Sequence, residues 1–330
     1  MNVRLSISRL ISLPPPSISR LASAIFCCIS PFMKQTFSLI CTLAATLIWG
    51  TTFIAQDQGM GHIGPLTFNA VRFFFGFLVL FPLAFIFEFS LTNIQIITEK
   101  RVIPNLIYIG LFLFLGSILQ QYSLLYTDVA NSAFFTIFYV VFVPLIAFFL
   151  YSKGIHWSVW PSILACLIGG YFLSEFSNAI VRKGDTLVVV GALFWGLHIV
   201  FISKILLIFN FPLLIASIQC LVVAILSFIL ALIFEEFLIQ NIQLEISEIL
   251  YAGILSSGFA FLLQIYGQRF ISPAPVAIIF SMEGVFAAIA AWFFLEQILN
   301  FDQILGCFFI LLGVLVSQLC PMVDWRIAKT

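Results

Sequence analysis

Charge is the scarcest property of this 330-residue chain. Only 8% of its residues are Asp, Glu, Lys or Arg, against about 25% in an ordinary soluble domain. That scarcity excludes a soluble globular fold, and the balance of 14 basic against 14 acidic side chains removes any case for a nucleic-acid or polyanion partner. Histidine is almost as rare. His62, His156 and His198 lie on different segments without paired spacing, and HExxH, GxSxG and the P-loop are all missing, so no catalytic residue and no metal site is expected. Cys27, Cys28, Cys41, Cys166, Cys220, Cys307 and Cys320 have neither metal-ligand nor redox spacing and read as small packing residues. No cofactor is implied, and no segment is long and polar enough to form a soluble output domain.

What the chain has in quantity is apolar surface: 62% of residues are hydrophobic, and 40 are phenylalanine. The expected partners are the lipid bilayer and a small-molecule solute. Residues 1–33 differ, with Arg4, Arg9, Arg20, the run Pro14-Pro15-Pro16, many serines and no acid. This leader reads as a disordered cytoplasmic extension or a mis-assigned start, with Met33 as the alternative first residue; the other reading is an organelle transit peptide.

Crossing a bilayer core takes about 20 apolar residues. Cutting the chain at polar and Pro/Gly breaks predicts ten helices, at 36–56, 65–88, 104–126, 130–151, 157–175, 185–208, 212–234, 248–270, 274–296 and 302–320. With a cytoplasmic amino terminus the inner side holds Lys34, Lys100, Arg101, Lys153, Lys204, Arg269, Arg326 and Lys329, and the outer side only Arg182 and Lys183. The positive-inside bias therefore places both termini in the cytoplasm. A bacterial inner (plasma) membrane is the expected location, or an organelle membrane if the leader is a transit peptide.

The chain also repeats. Trp49-Gly50 recurs as Trp195-Gly196, and an offset of 144 residues matches Gln120 to Gln264, Tyr122 to Tyr266, Ala133 to Ala277 and Gly169 to Gly313. Five helices fall in 34–175 and five in 185–320, joined by a linker at 176–184 and followed by a tail at 321–330. Because five is odd, the second set must enter from the opposite side. The expected fold class is an all-α polytopic membrane protein of ten transmembrane helices in two inverted five-helix repeats, an arrangement common among secondary transporters.

The strings LIWGTTFIA (47–55), NAVRFFFGF (69–77), QQYSLLYTDVANSAFFTIFYVVFVPLIAFF (120–149), SMEGVFAAIAAWFFLEQIL (281–299) and GCFFILLGV (306–314) resemble the EamA branch of the drug/metabolite transporter superfamily over about residues 35–320. The family often has proline after the ninth-helix glutamate, where this chain has Gly284. The resemblance implies a central cavity between the repeats and secondary transport or export of small metabolites.

Arg72 and Glu283 are the two most costly residues to bury in a membrane. From 1.5 Å per residue, Arg72 lies about 10 Å from the outer end of its helix and Glu283 about 14 Å from the inner end of its own. Arg72 is a candidate to bind an anionic group of the solute, and Glu283 to bind a cationic group or carry a proton. The alternative is that the two pair with each other or with backbone carbonyls. His198 is a second proton-coupling candidate, its alternative being a hydrogen-bonded packing role. Gln120 and Gln264 are candidate polar contacts or interhelical glue. Trp49, Trp195, Tyr122 and Tyr266 are candidate aromatic walls or plain packing. Small residues of the fifth and tenth helices serve either intramolecular packing or a homodimer. The functional expectation is a secondary transporter, and an exporter, of a small polar metabolite such as an amino acid, by alternating access; the alternatives are a passive channel and a membrane scaffold or sensor.

Overall fold

The computed structural model describes residues 31–88, 100–127, 129–151, 154–174, 182–294, 296 and 298–327. Nearly all of the leader, most of the linker, Cys27, Cys28, Lys153 and Lys329 lie outside the described residues. The elements are α1 (Pro31–Gln58), α2 (Pro65–Phe87), α3 (Val102–Ser123), α4 in two pieces (Val129–Thr136 and Tyr139–Tyr151), α5 (Val159–Leu173), α6 (Lys183–Ile205), α7 (Pro212–Phe234), α8 (Ile246–Gln268), α9 in two pieces (Pro273–Phe280 and Met282–Phe294) and α10 (Phe301–Ile327). Among the described residues nine of these are long and apolar enough to cross a membrane, and α5 is a shorter apolar helix. The chain is an integral, multi-pass membrane protein.

Local chemistry sets several helix starts. Pro65, Pro212 and Pro273 occupy the first helical positions, where the missing N–H costs no bond. At α6 the Asp185 carboxylate accepts the Arg182 N–H at 2.8 Å and the Thr127 hydroxyl at 2.6 Å, closing the N-terminus. The short helical turn Ile239–Leu244 precedes α8.

The most closely coupled pair is α2 and α7, and each end is held by the other helix. Glu235, just past α7, accepts the Leu66 and Thr67 N–H groups at 2.9 and 2.8 Å and the Thr67 hydroxyl at 2.8 Å. Glu88, just past α2, accepts the Leu213 and Leu214 N–H groups at 3.1 and 2.9 Å. A carboxylate facing unpaired N–H groups at a helix N-terminus is favoured by both hydrogen bonding and the helix dipole. The two caps show that α2 and α7 run antiparallel, as the inverted repeat requires. Burial still raises the Glu88 carboxyl above its ordinary 4.5, outweighing the two N–H bonds that lower it.

The pairing of α5 with α10 repeats this reciprocity with small residues. A Cβ on Gly169 would lie 2.6 Å from the Gly306 carbonyl oxygen, and one on Gly306 the same distance from the Gly169 oxygen. One repeat offset away, a Cβ on Gly313 would lie 2.8 Å from the Ser162 oxygen. Without a hydrophobic driving force between helices in lipid, such backbone approach is the main source of packing energy. These small residues serve an intramolecular crossing.

Both α4 and α9 break, at Ile137-Phe138 and at Ser281, which are equivalent positions in the repeats. Pro144 follows the first break, but its counterpart in α9 is Ala288, so proline alone does not set the break. The two breaks turn Tyr139 and Glu283 toward each other.

Candidate functional site

A cavity of about 550 Å³ of atom-free space, any opening to solvent included, lies between the repeats. It is lined by Trp49, Phe53 and Gln56 of α1, Arg72 of α2, Gln120 of α3, Thr136 and Tyr139 of α4, Trp195 and Ile199 of α6, Ser256, Phe261 and Gln264 of α8, and Phe280 and Glu283 of α9. Six of the nine residues singled out from the sequence, Arg72, Glu283, Gln120, Gln264, Trp49 and Trp195, are thus brought together.

Arg72 is 4% exposed. Its Nε and Nη2 donate to Asn69 Oδ1 at 3.1 and 2.9 Å, and its guanidinium lies 4.9 Å from the Phe73 ring centre and 5.6 Å from that of Phe68. Asn69 is one helical turn before Arg72, so both occupy one face of α2. The Asn69 amide donates in turn to Ser117 of α3 at 3.2 Å and Ser227 of α7 at 3.0 Å, anchoring the assembly from two sides. Its partners are a neutral amide and ring faces, and among the described residues no carboxylate pairs with it.

Glu283 is 5% exposed and accepts one hydrogen bond, from the Tyr139 hydroxyl at 3.2 Å. Tyr139 is its repeat counterpart, 144 positions earlier, so this bond joins equivalent positions of the two halves. Among the described residues neither Arg72 nor Glu283 is in an ion pair, so the expected alternative in which they pair with each other is not what the fold adopts.

The walls between these charges are aromatic. Trp49 meets Phe280 edge-on at 5.0 Å and Phe261 at 5.2 Å, and Trp195 stacks on Phe261 at 6.0 Å with planes 9° apart. Gly116 lets the Trp195 ring lie against α3, since a Cβ there would be 3.2 Å from it. Gln120 Nε2 donates to Thr136 at 3.4 Å, and Gln264 Nε2 to Gln268 at 3.0 Å. Three buried polar atoms of lining residues have no hydrogen-bond partner: Gln56 Oε1, Gln264 Oε1 and Trp195 Nε1. Buried polar groups are rarely left so.

Three candidates lie elsewhere. Tyr122 and Tyr266 do not line the cavity; two residues beyond Gln120 and Gln264, they project about 200° away around their helices. Tyr266 instead meets Phe37 edge-on at 6.2 Å. His198 is fully buried off the cavity wall, with Nε2 2.9 Å from Gln219 Oε1. The sequence pointed less clearly to other lining residues. The 144-residue offset from Glu283 is a signal that could have marked Tyr139, while Gln56, Thr136 and Ser256 carried no distinguishing signal. Part of α8, Tyr251–Ala260, is a π-helix packed on α2, where a Cβ on Gly253 would lie 2.8 Å from the Arg72 carbonyl oxygen. Such segments recur at functional sites, and this one carries Ser256 into the cavity.

The EamA-like transporter family matches this chain twice, at residues 36–175 and 182–319. An uncharacterized transporter of Archaeoglobus fulgidus is 30% identical over 290 residues, covering 87% of each chain. The uncharacterized transporter YoaV of Bacillus subtilis is 25% identical over 285 residues, covering 83% of this chain and 94% of that relative. A solved crystal structure superposes with a TM-score of 0.71 at 16% identity, over 86% of this chain and 96% of that one, a likeness of fold.

Proposed function

The chain belongs to the EamA-like transporter family, and from that premise we propose that it is a secondary transporter that exports a small polar metabolite, such as an amino acid, by alternating access. The observation that carries this reading is the placement of Arg72 and Glu283, neither of them in an ion pair among the described residues, on one aromatic-walled cavity. Arg72 is the partner for a carboxylate or phosphate of the solute. Glu283 receives a cationic group or carries the coupling proton, and the free Gln56, Gln264 and Trp195 atoms supply two acceptors and one donor for the rest of the solute. A solute satisfying those atoms would form hydrogen bonds in a low-dielectric site, where they are stronger than in water. His198, bonded to Gln219 and away from the wall, has the packing role in this reading. In this reading the bias of basic residues supports cytoplasmic termini, and the membrane is a bacterial inner (plasma) membrane.

The test compares metabolites inside and outside cells expressing wild type or Arg72→Ala at matched membrane levels. The expected result is a compound that redistributes with wild type and not with the variant. Loss of membrane insertion in the variant would make Arg72 structural. Identical profiles for wild type, inserted variant and empty cells would overturn the transport reading and favour a scaffold.

A further inference from the structure

We infer that Gln121 and Gln268 are the latches that close the two ends of the cavity, and that each opens in turn during transport; this rests on the alternating-access reading above. The ten helices contain two tightly packed pairs that face each other across the cavity. In one, α1 lies along α8, with the Ser38 hydroxyl donating to the Tyr266 carbonyl at 3.2 Å. In the other, α3 lies antiparallel to α6, and a Cβ on Gly184 at the start of α6 would be 2.7 Å from the Ser123 oxygen at the end of α3. Between the pairs contact is sparse: α1 barely approaches α3, and α6 touches α8 at few points.

Each end of that sparse interface carries one buried glutamine amide that hydrogen-bonds across it. Gln121 Nε2 of α3 donates to the Gln56 carbonyl of α1 at 2.9 Å. Gln268 Nε2 of α8 donates to the Ile199 carbonyl of α6 at 2.7 Å and to the Ser203 hydroxyl at 2.9 Å. The Gln56 carbonyl belongs to the last turn of α1, where carbonyls lack intrahelical partners, so it needs an outside donor. Gln121 and Gln56 stand near the C-terminal ends of α3 and α1, whereas Gln268 and Ser203 stand near the C-terminal ends of α8 and α6. Because α3 and α6 are antiparallel, the two latches lie at opposite ends of the cavity. Each freed amide and carbonyl would enter a widening, wet opening, which keeps the exchange close to balanced. In this structure the hydrogen bonds of both glutamines are made.

The test places a reporter cysteine at Ser256 of the full chain in sealed vesicles and reacts it with a membrane-impermeant maleimide from one face at a time. His62→Cys, in the exposed loop after α1, identifies the Gln121 face. Gln121→Leu is expected to raise Ser256→Cys labelling from that face about three- to ten-fold and not from the other, and Gln268→Leu to do the reverse. Gln121→Asn and Gln268→Asn, one methylene shorter, give the same contrast if the leucine variants insert poorly. Unchanged labelling, or labelling raised equally from both faces, overturns the latches. Opposite shifts without any transported compound would leave the latches standing and overturn the transport reading. Transport with unmoved labelling would overturn the latches alone.

Discussion

Replacing Glu235 by glutamine tests whether reciprocal caps hold α2 and α7 together. The carboxylate accepts three hydrogen bonds, two from backbone N–H groups at the start of α2 and one from the Thr67 hydroxyl. An N-terminal cap contributes about 1 kcal/mol and as much as about 2, and a carboxylate near a helix N-terminus adds about 0.3–1 kcal/mol through the dipole. Glutamine keeps one acceptor, removes the charge and turns an NH2 group toward an N–H, so the loss should be about 2 kcal/mol. At about 2–3 °C per kcal/mol for a chain of this size, the thermal midpoint in detergent should fall by about 4–6 °C. Glu236→Gln, one residue on and exposed, is the control and should move it by less than about 1 °C. The assay is thermal unfolding of purified full-length protein by intrinsic fluorescence. Equal midpoints for the two variants would refute the capping argument, because they differ only in whether the carboxylate meets the helix end.

The remaining predictions concern the other acidic groups. Glu88→Gln should cost less than Glu235→Gln, since burial already disfavours its charge. With a folded-state pKa above 4.5, Glu88 adds stability that is full below that value and lost as pH rises through the raised one; a midpoint-versus-pH series should show this decline flattened in the variant. Glu283→Gln should abolish the pH dependence of transport in vesicles with an imposed gradient, and an unchanged dependence would exclude Glu283 as the proton carrier.

Part of the site was legible before any fold was known. Arg72 stood out because charge in an apolar run is costly, and Asn69, Phe68 and Phe73 are close enough in sequence to meet its guanidinium on one helix. Gln120 and Gln264 were marked by the repeat. The same repeat marked Tyr122 and Tyr266 equally, and they face away from the cavity. Symmetry in sequence preserves equivalence between positions but does not say which way either side chain points. Gln56, Gln121 and Gln268 were less visible still, since an amide in an apolar helix looks alike whether it glues, latches or binds.

The amino-acid sequence alone determined the succession of apolar helices, the five-plus-five repeat and the small residues available for close crossings. Those features depend on local quantities: the length of apolar runs, the scarcity of charge and a constant offset. Which polar residues meet was decided only by the tertiary structure. Helices that are apolar on nearly every face carry little amphipathic signal, so nothing local fixes their rotation. The Glu88 and Glu235 caps, the Tyr139–Glu283 bond and the Gln121 and Gln268 latches each join groups from different helices. Such partners are selected only when packing sets rotation and depth together, because a buried polar atom must find a partner within hydrogen-bond reach.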